Sequence, residues 1–428
     1  MKNNKYHTLF FLTSILYVSH THTIPPFTLG IENMSPSTVQ KISPKHSSKS
    51  SIGLITNQSG IDQHGKRNID IIINNNLNLL YIFAPEHGFN NTPAGSDVAN
   101  SLDKKTGIPI ISLYKNGSGK IISDEHMNAI ECLIFDIQDS GMRHYTYIST
   151  LLNTMKIAAE HNKPFLVLDR PNPLGGAMEG PLVETDLISF ISIAPIPLRH
   201  GMTIGELALY FNTYILEKSA PLHIVPMHEY NRTHGYIGTL RKQLSPNLQS
   251  LQSCYGYSFL GLLGEIEPFD IGIGTHMAFR CILLPESLNI SQSVWHKMQK
   301  TLSSYNITTL PYSHTNKKTK KLNKGLQLHF NDINNQHSFE LLIELLQLCK
   351  AEGINISFSA SFDKAVGTRK VKDVVTGTVS RETFSNSLNQ DLRDFYKRAR
   401  KSFLYKPFPH MQQPFNSSEK LSAQHQEN

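Results

Sequence analysis

The chain has 428 residues, 39% hydrophobic and 18% charged, with a formal charge of +7 at neutral pH. That length allows two or three domains with a substantial core, and the composition excludes an intrinsically disordered chain. The small positive excess sits largely in HTNKKTKKLNK (residues 314–324) and in KRARKSF near the C-terminus; no zinc-finger spacing accompanies it, so nucleic acid is not expected as a partner.

The N-terminus carries Lys2 and Lys5, an apolar stretch from Leu9 to Val18 and a polar end. That order predicts a secretory signal over residues 1–23. The stretch falls short of the roughly 20 residues a bilayer span requires. No other long apolar run follows, so the chain is expected to be exported, periplasmic or extracellular, with no integral span once the signal is removed. Residues 24–50, rich in Ser, Pro and Lys, read as a flexible leader.

From Ser51 the pattern changes. IGLITNQSG, LNLLYIFAPEHG, IPIISLY, ECLIFDIQDSG and PFLVLDRPNPLGG are short apolar runs bounded by turn residues and spaced by helix-sized segments. YISTLLNTMKIAAEHN puts Leu151, Leu152, Met155, Ala158 and Ala159 on one helical face. Such alternation predicts an α/β fold with a mostly parallel sheet covered on both sides. The runs end in polar side chains: Asn57; Glu86 and His87; Asp136 and Asp139; Asp169, Arg170 and Asn172. In open parallel sheets ligands bind beyond those carboxyl ends. Thr203 and Glu206 form a capping box that opens a helix, and Arg199 and His200 just before it are placed to face a ligand.

Residues 217–300 give little pattern. GLQLHFND then reads as a strand, SFELLIELLQLCKAEG as a helix stopped by Gly353, and NQDLRDFYKRARKSFLY as a closing helix. Residues 409–428 read as a disordered tail, and Cys132, Cys254, Cys281 and Cys349 as small core residues.

These residues bear on three chemistries. NGSGK fails as a phosphate loop, because Tyr114 stands where the pattern needs glycine. His87, Asp136, Asp139, His144 and Asp169 could converge on a metal, but no paired-ligand motif supports it, and no cofactor is expected. Glycoside cleavage needs a protonated acid near the leaving oxygen. Glu86, between YIFAP and Phe89, suits that role, since an apolar setting raises a carboxyl pKa. It could equally bond His87 or a backbone turn. Glu179, on the Gly/Pro-rich loop DRPNPLGGAMEGP, is a second carboxylate that could instead bond loop amides.

Together GLITNQSG, APEHGF with AGSDV, FDIQDSGMRHYTY, LDRPNPLGGAMEGP, RHGMTIGELA, LSPNLQS, GIGT and FDKAVGTRKV resemble, in order over residues 51–408, the exo-acting β-N-acetylmuramidases of peptidoglycan recycling. The resemblance implies a Rossmann-like catalytic domain (51–198), a smaller C-terminal α/β domain (199–408) and a cleft between them. It implies release of terminal N-acetylmuramic acid from the non-reducing end of peptidoglycan-derived glycans or muropeptides. Glu86 falls on the family's acid, and the second group is Glu179, Asp139 or the sugar's own acetamido oxygen. Asn57, His87, Arg143, Tyr145, Asp169, Arg170, Asn172, Arg199, His200, Glu265 and Thr275 are expected to line the substrate pocket. Pro268, Ile271 and Ile273 stand where the family carries polar or charged residues, and Ile273 cannot pair with a lactyl carboxylate. That departure motivates an alternative, a catalytically impaired peptidoglycan-binding protein.

Overall fold

The structure is a computed structural model that describes residues 27–43, 50–89, 97–119, 122–232, 242–316, 319–332 and 337–406. The expected signal (1–23) and tail (409–428) lie outside the described residues.

The apolar runs form one seven-stranded sheet. Its order is Leu222–Val225, Phe165–Leu168, Cys132–Asp136, Ser51–Thr56, Asn78–Ala84, Pro109–Ser112 and Ser101–Leu102. All neighbours pair in parallel except the last two, which are antiparallel. Alternate side chains serve opposite faces. Ile55, Leu133, Phe135, Phe165 and Val167 join the larger apolar cluster, whereas Ile52, Leu54, Ile134, Leu166 and Leu168 join a second one. Both faces are therefore dry, which is why the strands read as unbroken apolar runs. Helix Tyr147–Glu160 lies in the larger cluster and is buried almost all round, beyond the single face its spacing predicts.

Two expected boundaries move. Helix Ile204–Tyr214 and strand Leu222–Val225 belong to the large sheet layer, so the N-terminal unit runs well past residue 198. Within the segment read as a leader, helices Gly30–Asn33 and Pro36–Ile42 pack Leu29, Ile31, Met34 and Val39 into the second cluster. The Gly30 N–H donates to the Asp169 carbonyl at 3.0 Å, and a Cβ on Gly30 would lie 2.3 Å from the Asp169 nitrogen. Polar composition concealed this contact because few, well-spaced apolar residues make it.

The smaller unit contains a three-stranded antiparallel sheet, Cys281–Pro285, Leu322–Phe330 and Ile307–Thr315, with helices Leu251–Leu263 and Ser338–Ala351. Gly353, at φ +70°, follows the latter helix as expected. The closing helix, Arg381–Ala399, starts earlier and ends sooner than its sequence pattern suggests. One apolar cluster runs through both units. All four cysteines are buried and free.

Candidate active site

Chain order dictates where a crevice opens. From Ser51–Thr56 the chain builds the sheet outward in one direction and then returns to lay Cys132–Asp136 on the other side of that strand. Ligands of open parallel sheets bind at such a switch point, and Asn57 and the loop containing Asp139 stand there; the two loops touch, the Gln138 N–H donating to the Ser59 hydroxyl at 3.1 Å.

Glu86 follows the next strand, Asn78–Ala84. A tight turn closes behind it: the Gly88 N–H donates to the Pro85 carbonyl at 3.0 Å, and His87 and Gly88 both take positive φ, +69° and +54°. Left-handed backbone at a histidine is uncommon and costs free energy. Here it keeps Glu86 buried at the sheet edge. Glu86 Oε2 accepts from the Thr146 hydroxyl at 2.7 Å. Thr146 is the N-cap residue of helix Tyr147–Glu160, yet its side chain does not cap that helix. The hydroxyl is spent on Glu86 instead. The Tyr114 hydroxyl also lies against Glu86; burial first, and then the Glu86 charge, push its pKa up to about 12.

Asp139 holds the other side. Its Oδ2 accepts from the Gly141 N–H at 2.7 Å and from His200 Nε2 at 3.1 Å. His200 Nδ1 accepts from the Met202 N–H at 3.3 Å, which puts the ring proton on Nε2. Asp139 Oδ1 is buried with no hydrogen-bond partner among the described residues. Tyr147 and Tyr257 join the two acids: burial raises both phenol pKa values, and the charges of Glu86 and Asp139 raise them further. The Glu265 charge also reaches Tyr257, so the smaller unit adds a third carboxylate to this wall. Glu265 Oε2 accepts from the Ser359 and Ser361 hydroxyls, each at 2.5 Å.

His144 stacks on Tyr257, centroids 4.5 Å apart. Desolvation, helped by the Arg143 charge, drops its pKa to about 3, so the ring is neutral; both nitrogens are buried without a partner among the described residues. Gly261 makes the space, since a Cβ there would lie 2.5 Å from His144 Nε2. Tyr145 packs edge-on against Tyr147, and Asn57 accepts from the Ser59 N–H and hydroxyl at 2.9 and 2.6 Å.

Several residues expected to line the pocket are bonded within the protein. Glu179 Oε1 accepts from Arg199 at 2.6 Å, and its Oε2 accepts from the Ser338 hydroxyl and the Phe339 N–H at 3.0 and 3.1 Å. It is a buried ion pair that caps helix Ser338–Ala351, and Arg199 is committed with it. Arg143 donates to the carbonyls of Pro181, Ile196, Ala365 and Val366 and to Ser192, tying the two units together. Arg170 makes a bidentate pair with Asp136 at 2.6 and 2.9 Å. Asp169 accepts from the Thr203 and Tyr405 hydroxyls and from the Gly205 and Arg170 N–H groups, and Asn172 accepts from the Leu174 N–H at 2.8 Å and donates to the Met202 carbonyl at 3.0 Å. Thr275 closes a turn on Gly272. Glu206 completes the expected capping box and also binds Arg232 and the Leu404 N–H. With Asp136 and Asp169 so occupied, no group of three metal-ligating side chains converges among the described residues.

Ile271 is buried against Gly264 and Ile273 is half-exposed on a turn. Neither disturbs the Glu86–Thr146 or Asp139–His200 contacts. Sequence reasoning missed Thr146, Tyr147 and Tyr257. The first two sit in the RHYTYIST stretch, where helix periodicity hides a polar task; Tyr257 lies in the segment without a readable pattern.

Comparison with known proteins gives a consistent result. Two family models match, Exo-beta-N-acetylmuramidase NamZ, N-terminal, over residues 52–252 and Exo-beta-N-acetylmuramidase NamZ, C-terminal, over residues 255–405. The peptidoglycan beta-N-acetylmuramidase NamZ of Bacillus subtilis (strain 168) is 33% identical over 398 residues, covering 89% of this chain and 92% of that protein. Two DUF1343 family proteins of Bacteroides fragilis have similar crystal structures, with TM-scores of 0.76 at 30% identity and 0.69 at 27%. Each alignment covers 89% of this chain and 99% of the other.

Proposed function

The chain belongs to the NamZ family of exo-β-N-acetylmuramidases, and from that premise we propose that it releases terminal N-acetylmuramic acid from the non-reducing end of peptidoglycan fragments. The observation that carries this reading is Glu86, a buried carboxyl gripped by Thr146 beyond a strand end, sharing its tyrosine wall with Asp139.

Glu86 gives its proton to the bridging oxygen as the bond from that oxygen to the anomeric carbon breaks, and the electron pair leaves with the oxygen. With Glu179 committed to Arg199 and a helix terminus, Asp139 is the better second group. The sugar's acetamido oxygen closes on the anomeric carbon, an exception to the two-carboxylate scheme, and Asp139 offsets the positive charge of the cyclic intermediate. Water then attacks the anomeric carbon, the bond to the acetamido oxygen opens, and Glu86 takes the proton from water and is restored.

We place the reaction outside the cytoplasm, on the signal-like pattern of residues 1–23. The binding-only alternative is not favoured, because the substitutions that motivated it leave both acids and their donors intact. The test is turnover of a chromogenic β-N-acetylmuramic acid glycoside by the purified chain. Glu86→Gln should lower kcat by about 10²- to 10⁴-fold. A variant that keeps the parent rate would refute the assignment.

A further inference from the structure

We propose that His200 is a positioning residue that locks Asp139 so that its Oδ1 accepts the N–H of the sugar's 2-acetamido group. This rests on the glycosidase reading above and specifies the Asp139 side of the same site.

The hydrogen bonding around Asp139 is lopsided. His200 Nε2 and the Gly141 N–H both donate to Oδ2, at 3.1 and 2.7 Å, and no group among the described residues donates to the buried Oδ1. A buried carboxylate oxygen without a donor is expensive, and native structures keep few of them. A ligand N–H supplies what is missing. The geometry that enforces the asymmetry is itself pinned. His200 is fully buried, and the Met202 N–H on Nδ1 sets which ring nitrogen carries the proton. Gly141 sits at φ +92° with no room for a Cβ, which would lie 2.3 Å from Asn172 Oδ1. The loop is thus held from two directions, and Oδ1 is the one acceptor of Asp139 left over.

An acetamido N–H fits better than a hydroxyl because of when charge appears. As the acetamido oxygen bonds to the anomeric carbon, positive charge develops on the amide nitrogen, and the hydrogen bond to Asp139 becomes charge-assisted. An interaction that strengthens toward the transition state accelerates the step, whereas one to a hydroxyl gains little. With the Met202 N–H on Nδ1, the His200 Nε2–H is directed at Oδ2 and leaves Oδ1 to the sugar nitrogen.

His200→Ala should lower kcat on the chromogenic glycoside by about 10- to 100-fold with KM within about threefold, the size expected for loosening one charge-assisted contact. His200→Gln, which can still donate to Oδ2, should recover most of the rate. In an Asp139→Asn background His200→Ala should cost less than about threefold more, because both changes remove the same interaction. A parent-like kcat for His200→Ala, a folded His200→Gln as slow as the alanine variant, or fully multiplicative losses would each overturn the proposal. A second arm does not depend on turnover. Calorimetry on the full chain should show N-acetylmuramic acid binding more tightly than its analogue with an acetate ester in place of the 2-acetamido group, which keeps the acetyl but has no N–H, and His200→Ala should erase most of that preference. If the unaltered chain hydrolyses no glycoside, the function proposed above fails; the binding arm still decides the role of His200, and an unchanged amide preference in His200→Ala refutes it.

Discussion

Replacing Glu179 by Gln separates a strut from a catalytic carboxylate. In the folded chain the Glu179 and Arg199 side chains are 5% and 1% exposed, and their contact is 2.6 Å. Removing one partner of a buried pair costs about 3–5 kcal/mol, because the remaining guanidinium stays desolvated without its counter-charge. Glu179 also accepts from the Phe339 N–H at the start of helix Ser338–Ala351, and loss of such a cap adds about 1 kcal/mol. Gln keeps an oxygen for one of these donors, so the lower part of the range applies: about 3 kcal/mol off the unfolding free energy. Urea unfolding followed by circular dichroism measures this as a lower midpoint with unchanged slope. Turnover of the glycoside, normalised to folded protein at low temperature, should stay within about threefold of the parent. A Glu179→Gln chain that keeps parent stability but loses turnover would refute the structural role and return Glu179 to the chemistry.

Two further outcomes follow from buried groups beside the site. Burial lifts the Asp169 carboxyl to about pH 6, against Tyr405, Gly205 and Thr203 bonds that pull it down. A folded-state acid titrating above its unfolded value near 3.8 holds its proton longer when folded, so its stabilising contribution is present below about pH 4 and lost as pH rises through 6. The unfolding free energy of the parent relative to Asp169→Asn should therefore fall by up to about 3 kcal/mol between pH 4 and 6.5. Parallel urea titrations at several pH values measure the difference, and a parent that gains on the variant across that window would show the sign to be wrong. Gly261→Ala puts a Cβ 2.5 Å from His144 Nε2 and must displace the ring from Tyr257. Overpacking of this kind costs about 1–3 kcal/mol, and KM should rise as the aromatic wall shifts. Unchanged stability and KM would show that the His144 stack is slack.

Strand and helix identity was legible for the N-terminal unit because unbroken apolar runs and helical spacing are local properties. Glu86 was legible for the same reason: an apolar run stops at Pro85, and the polar residue after it must stand at the sheet edge. Thr203 and Glu206 announced their cap within four residues. The middle of the chain was not legible. Helix Leu251–Leu263 has Tyr, Cys, Ser and Gly around an apolar core position, so no single face stands out. Hairpin strand Ile307–Thr315 alternates buried and exposed residues only in part and contains Pro311, which pattern reasoning discounts.

From its residues alone the chain declared a parallel α/β sheet, a row of polar groups at that sheet's carboxyl edge, and motifs that identify a family. Only the tertiary structure decided what each of those polar groups touches. Asp169 is consumed by Tyr405, 236 residues away, Glu179 by Arg199 and a helix terminus 160 residues on, and Asp136 by Arg170. Asp139 is bound on one oxygen by a histidine 61 residues distant, and its other oxygen is buried with no hydrogen-bond donor among the described residues. A carboxylate's chemistry depends on the donors that reach it, and those donors arrive from segments whose meeting no local pattern encodes.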